Sequence, residues 1–178
     1  MRCLYCGKEI KDNASEHEKQ YQWHSRCIKK FFGTSKMPVL DVSEEKLEEL
    51  ANETVNKGLT IPGVQKKLSL HLSTDIDSRL TLVDYPTGYI LKPQTEEYDN
   101  LPEFENLAMR MAEIAGIKTV PNALILNNSK YAYITKRVDR NIVSDVSVQL
   151  YAMEDFCQLA ERLTADKYKG SYEKCGRI

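Results

Sequence analysis

Leu68, Leu70 and Leu72 alternate with Ser69 and His71, a period of two that predicts a strand with one buried face. Leu80, Leu82 and Tyr85 follow the turn-like Ser73-Thr74-Asp75, and Tyr89-Ile90-Leu91-Lys92 follows Pro86-Thr87-Gly88. Three short strands joined by tight turns read as an antiparallel meander. The period then lengthens. From Glu103 to Ala115 the apolar positions Phe104, Leu107, Ala108, Met111, Ile114 and Ala115 form a helical stripe, with Gly116 as the stop. Val120–Leu126 and Tyr131–Thr135 flank Asn127-Asn128-Ser129, a hairpin by composition. After a polar connector, a last helix is predicted from Met153 to about Leu163, and Lys169-Gly170-Ser171-Tyr172 reads as loop.

Upstream of the meander the pattern is different. Ser43 caps a modestly amphipathic helix to Asn56, with Leu47, Leu50, Ala51 and Val55 on one side. Residues 1–33 are polar, poor in aliphatic side chains and rich in Cys and His, and they cannot build a core unaided. A small, polar stretch around Thr34-Ser35-Lys36-Met37-Pro38 reads as a linker. The expected organisation is therefore a knuckle over 1–33, a linker over 34–42 and an α+β lobe over 43–178, an antiparallel sheet with packed helices.

A length of 178 residues suits one compact domain and excludes a complete two-domain enzyme. Hydrophobic residues are 42% of the chain and charged residues 29%, the balance of a soluble globular protein. No apolar run approaches the roughly 20 residues of a spanning helix, and no secretory signal opens the chain, so membrane contact is not expected and a cytoplasmic location is. With 25 basic against 26 acidic residues there is no overall field for a polyanion, and direct nucleic-acid binding is not expected. Lys29, Lys30, Phe31 and Phe32 could touch nucleic acid locally, but the preferred role for the two phenylalanines is to dock the knuckle onto the body.

Three of the five cysteines fall within the first 27 residues. Cys3-x-x-Cys6 and His24-x-x-Cys27 make two ligand pairs whose turns can converge on one tetrahedral Zn²⁺, and four protein ligands make such a site structural. His17 competes with His24 but lacks a neighbouring partner. Cys157, inside the last apolar pattern, reads as a small buried hydrophobe.

Lys92 ends its strand on the same face as Ile90, an unusual place for an ammonium unless an anion meets it. Gly58 and Gly63 allow close backbone approach to phosphate, with Lys66 and Lys67 nearby, although no Walker A sequence is present. Glu103 and Glu105 stand where a glutamate could orient Lys92, and equally where acidic groups favour a helix N-terminus.

The run Gly58-Leu59-Thr60-Ile61-Pro62-Gly63-Val64-Gln65-Lys66-Lys67-Leu68, then Tyr89-Ile90-Leu91-Lys92-Pro93, Pro102-Glu103-Phe104-Glu105-Asn106, Lys136-Arg137-Val138-Asp139-Arg140 and Met153-Glu154-Asp155-Phe156-Cys157-Gln158, resembles the HipA family of bacterial toxin-antitoxin serine/threonine kinases. The resemblance covers the chain from Met37 onward. It implies a kinase-like ATP-binding lobe in which Gly63, Val64, Gln65 and Lys67 face phosphate, Lys92 is the nucleotide-phosphate lysine with Glu105 as its partner, and Lys136 and Val138 belong to the hinge that reads adenine. Val138 stands where the family commonly has an aromatic. Thr60 occupies the position of a regulatory phosphosite, and the Cys/His head is similar to that of some short members. Implied cofactors are ATP and Mg²⁺, beside the structural Zn²⁺. Implied partners are a helix-turn-helix antitoxin and a protein substrate among translation factors such as aminoacyl-tRNA synthetases. Phosphoryl transfer needs a catalytic Asp and Mg²⁺ ligands, and nothing after Gln158 reads as such a loop, so no catalytic residue is assigned. The chain alone is expected to be inactive, resembling a family member cut off soon after its nucleotide lobe. The competing expectation is a non-catalytic module in which knuckle and lobe dock a protein or nucleic acid.

Overall fold

The computed structural model describes residues 1–40, 67–73, 78–81, 88–95, 98–127, 129–144, 147–163, 166 and 169–178. The helix expected over Ser43–Asn56 lies outside them, as do Gly58, Thr60, Gly63, Val64, Gln65, Lys66, Leu82 and Tyr85. Two helices open the chain, α1 (Glu16–Tyr21) and α2 (Ser25–Phe32). Strands β1 (Val39–Leu40), β2 (Leu68–Ser73), β3 (Arg79–Thr81) and β4 (Tyr89–Lys92) precede α3 (Leu101–Ile114). Then come β5 (Asn122–Asn127), β6 (Lys130–Lys136), β7 (Arg140–Ser144), β8 (Ser147–Leu150), α4 (Phe156–Leu159) and α5 (Tyr172–Cys175). Among the described residues no helix is long and apolar enough to cross a membrane.

The strands form one six-stranded sheet in the order β1-β3-β2-β4-β6-β5, antiparallel except for β1 beside β3; the expected meander is not made, because β2 lies between β3 and β4 and pairs with both. Pairing of Asn127 with Lys130 closes the β5–β6 hairpin. The register sorts the side chains strictly, because cross-strand partners share a face. Leu68 pairs with Leu91, Leu70 with Tyr89 and Ile134 with Ala123 on one face. The opposite face carries Ile90 beside Thr135 and Lys92 beside Tyr133. Helix α3 packs on β5 and β6, so the chain runs from the strand bearing Lys92 through the helix into the hairpin.

The apolar face is covered by the N-terminal head. Cys3, Ile10, Trp23, Cys27, Ile28, Phe31, Phe32 and Met37 share one core with Leu68, Leu70, Leu80, Tyr89, Leu91, Ala123, Ile125, Ala132 and Ile134. Phe31 and Phe32 both lie against the Tyr89 ring, with centroids 5.9 and 5.6 Å away, which is the docking role expected of them. The head also protects the sheet's end. Strand β5 is an edge, where unpaired backbone groups invite wrong partners. The Trp23 indole N–H donates to the Leu124 carbonyl (3.0 Å), and the Leu124 N–H donates to the Leu4 carbonyl (3.4 Å). Trp23 is fully buried. Trp23→Ala is therefore expected to cost about 3–5 kcal/mol of stability by cavity formation, read as a lower urea midpoint at unchanged slope.

Five further sequence expectations need correction. Helix α3 is turned inside out relative to its stripe: Phe104, Leu107, Met111 and Ile114 are exposed, Ile114 at 87%, while Pro102 and Asn106 are buried. The inward side is chosen by specific polar pairs, described below. The polar connector holds a hairpin, β7 paired with β8, apart from the main sheet. The last helix is only α4, because Asp155 and Gln158 form a reciprocal capping box that starts it at Phe156, and Glu161 at φ 52° leaves the helical path. Its Cys157 is half-buried rather than a core residue and its thiol meets the Arg162 carbonyl (3.5 Å). The expected terminal loop ends in α5, capped by Ser171.

Candidate metal centre and lysine–glutamate site

Two turns of the head bring the ligand pairs together. The first is closed by Gly7 N–H donating to Cys3 O (2.8 Å) and Cys3 N–H donating to Lys8 O (2.9 Å). The second is the first turn of α2, where Cys27 N–H donates to His24 O (2.8 Å). The ligand atoms of Cys3, Cys6, His24 and Cys27 all lie within 4.8 Å of one another. Bond lengths of about 2.3 Å to sulfur and 2.0–2.1 Å to nitrogen put donor atoms roughly 3.5–3.8 Å apart around tetrahedral zinc, and His24 Nδ1 is 3.4 Å from Cys6 Sγ and 3.8 Å from Cys27 Sγ. His24 Nε2 is 3.1 Å from the Glu9 carbonyl, so its N–H is held there and Nδ1 is left as the donor facing the thiols. His17 stands elsewhere, its Nε2 accepting from Met37 N–H (3.4 Å).

The thiols behave as a set short of a cation. Burial works to raise the Cys6 thiol, but the Lys8 backbone and side-chain hydrogen bonds with Cys27, His24 and Cys3 outweigh it and bring it down to about 7. Cys27 is pushed up to about 12 by burial and by the neighbouring Cys3 and Cys6. Thiols this close cannot all ionise without a positive charge among them. The donor set, its spacing and its charge all fit Zn²⁺.

On the other face of the sheet, Lys92 and Glu105 form a direct ion pair, each side chain 23% exposed. Of the two candidate glutamates, Glu105 is the partner. Lys92 Nζ also stands 5.4 Å from the centre of the Tyr133 ring, its cross-strand neighbour. The second oxygen of Glu105 and the Tyr133 hydroxyl are buried with no hydrogen-bond partner among the described residues. Burial, then the Glu105 charge, holds the Tyr133 phenol far above its ordinary range. The ammonium of Lys92 thus stands between the Glu105 carboxylate and the Tyr133 ring, and the free Glu105 oxygen is a buried acceptor available to a polar ligand.

The remaining predicted residues are spread around this point. Lys67 immediately precedes β2 and is half-buried. Lys136 pairs with Tyr89, so its side chain lies on the head's face, away from Lys92. There its ammonium stands 5.6 Å from the Phe31 ring and 6.0 Å from the Tyr89 ring, and burial lowers its pKa. Any hinge role of Lys136 therefore belongs to its backbone. Val138 is exposed. Beside it, Asp139 joins Arg137 (2.6 Å) and Arg140 (3.0 Å), hydrogen bonds that hold its carboxyl well below the usual range and brace the chain where it leaves β6.

Sequence reasoning missed four residues here. Tyr133 was visible only as an apolar strand position, yet an Asn127–Lys130 hairpin and the β4–β6 register place it beside Lys92. Asn106, Arg110 and Asn122 were hidden by the assumption that the apolar stripe faces inward. Asn106 Nδ2 donates to Asn122 Oδ1 (3.0 Å), and both residues are buried.

An α+β lobe with a lysine on a central strand and a glutamate on the next helix defines the class of fold. The family model described as the HipA-like C-terminal domain matches residues 59–178, and the chain belongs to the HipA family. A Haemophilus influenzae protein named "Putative kinase" is 33% identical over 90 residues, covering 48% of this chain and 25% of the relative. A chain from the Shewanella oneidensis MR-1 complex of HipA, HipB and operator DNA aligns with a TM-score of 0.47 and 22% identity, over 79% of this chain and 37% of that one. The chain thus spans about a quarter of the length of the curated relative it matches.

Proposed function

We propose that this chain is the ATP-binding portion of a HipA-type protein serine/threonine kinase, with a head stabilised by structural Zn²⁺ on Cys3, Cys6, His24 and Cys27. The observation that carries the nucleotide half is the Lys92–Glu105 pair. Protein kinases use such a pair to hold the α- and β-phosphates, and the lysine is useful only while the helix glutamate fixes it. The Tyr133 ring lies beneath the ammonium and gives it a cation–π neighbour on the sheet. The phosphate-facing loop is assigned to Gly63, Val64, Gln65 and Lys67, with Thr60 as its regulatory acceptor, and the adenine edge to the backbone around Lys136 and Val138. Transfer of the γ-phosphate to a protein hydroxyl requires an acceptor-activating Asp and Mg²⁺ ligands, which we assign to a complementary catalytic lobe. Family membership supports a helix-turn-helix antitoxin as partner and a translation factor as substrate.

A thermal melt with and without MgATP tests the reading. A ligand that binds only the folded chain at about 100 times its Kd stabilises by about 2.7 kcal/mol, a rise of roughly 5–10 °C for a chain of this size. No shift at millimolar MgATP would remove the nucleotide reading and leave a non-catalytic binding module.

A further inference from the structure

Helix α3 is held by an unusual inward side. Its apolar stripe is exposed, and its attachments are the Lys92–Glu105 pair, the buried Asn106–Asn122 bond and Arg110. Arg110 is the member that reaches the head. Its Nε donates to Asn106 Oδ1 (2.9 Å), tying it to the buried amide pair. Its Nη2 donates to the carbonyls of Leu4 and Tyr5, both at 3.3 Å. Those two carbonyls lie inside the turn between the ligands Cys3 and Cys6. Gly7, at φ 69°, closes the same turn, and a Cβ there would stand 2.4 Å from Arg110 Nη1. The guanidinium thus sits against the turn and reaches both carbonyls as a planar fork that lysine cannot copy.

The two ends of this link are the two candidate sites. Leu4 and Tyr5 present both carbonyls to one guanidinium only while the Cys3–Cys6 turn is wound, and a metal held by Cys3 and Cys6 would tie down both ends of that turn. Asn106 and Arg110 lie one helical turn apart, and Glu105 adjoins Asn106, so the rotation that Arg110 sets for α3 is the rotation at which Glu105 meets Lys92. No other side chain of α3 has a hydrogen bond to the head among the described residues.

We propose that Arg110 is a positioning residue that couples metal occupancy of the head to the Lys92–Glu105 site, so that a loaded head favours nucleotide binding and bound nucleotide favours metal retention. The proposal deepens the ATP reading and rests on it for its ligand. Coupling between two sites is reciprocal: the factor by which one ligand changes the affinity of the other is the same in both directions.

The test uses the full chain loaded with Zn²⁺, and follows transfer of zinc to a colorimetric chelator with and without saturating MgATP. The expected result is that MgATP lowers the chain's apparent zinc dissociation constant by on the order of fivefold or more, and that Arg110→Gln, still stoichiometrically loaded, brings that factor to about one. A merely structural role for Arg110 would change the zinc affinity of Arg110→Gln while leaving the MgATP factor as in the unaltered chain, and that result overturns the proposal. MgATP that raises the melting temperature but leaves zinc affinity of the unaltered chain unchanged overturns the coupling and leaves the ATP reading standing. Should MgATP not bind, hydrogen exchange of the α3 amides judges the link by itself. Faster exchange across 101–114 in zinc-loaded Arg110→Gln supports the link between head and helix while the ATP reading falls; equal exchange overturns both. Arg110→Lys, which keeps the charge and loses the fork, is expected to behave like Arg110→Gln, and full coupling in that variant overturns the proposal.

Discussion

Serine in place of Cys27 is expected to melt the whole structure at a much lower temperature, and not the head alone. Cys27 is both a ligand candidate and a buried member of the core that the head shares with the sheet. Structural zinc contributes on the order of 10 kcal/mol to small domains that bind it, comparable with the entire stability of an ordinary domain. The aromatic cluster depends on the same turns: Tyr5, between two ligands, stacks on Trp23 at 5.5 Å, and Phe31, one turn past Cys27, meets Trp23 at 5.6 Å. Loss of the metal therefore uncovers one face of the sheet. A chelator added to the unaltered chain should reproduce the effect, with zinc content measured in parallel. A change in melting temperature of less than about 2 °C, which corresponds to under roughly 1 kcal/mol, would mean that the four residues hold no structural ion.

The second large effect is expected at Lys92. Methionine preserves the length of the side chain and removes the charge, so Lys92→Met should weaken MgATP binding at least about tenfold, equivalent to about 1.4 kcal/mol. It also strands Glu105 beside the unpaired Tyr133 hydroxyl, a penalty of about 1–3 kcal/mol in the ligand-free chain. The double variant with Glu105→Gln should recover that stability without recovering nucleotide binding. Titration of a fluorescent ATP analogue, with melts of both variants, separates the two effects. Unchanged affinity in Lys92→Met would place the nucleotide elsewhere or nowhere.

The strands were readable because their residues obey one rule along their length. Leu68, Leu70 and Leu72 alternate, and the structure buries Leu68 and Leu70 as that alternation demands. The gathering of Cys3, Cys6, His24 and Cys27 was readable because cysteine and histidine spacing carries chemistry independent of the surrounding fold. The orientation of α3 was not. A hydrophobic stripe ordinarily marks the buried side, but here Glu105, Asn106 and Arg110 each meet a partner from a distant part of the chain, Lys92, Asn122 and Leu4. Those partners are fixed only by sheet register and by the docking of the head, neither of which a local period reports. The short α4 failed for a different reason: the apolar residues from Met153 to Leu163 suggested continuity, whereas the Asp155–Gln158 capping box defined a start and Glu161 a stop.

The bond from the Trp23 indole to Leu124 spans 101 positions of sequence. It has a consequence for the order of events as the chain is made. The head is made before the strands it covers, and Cys3, Cys6, His24 and Cys27 all lie within it. Its aromatic side must nevertheless wait in water until the β5–β6 hairpin, a hundred residues behind, has left the ribosome. Contacts of such long range slow folding and prolong the exposure of apolar surface. The head is thus made well before the hairpin that completes its burial.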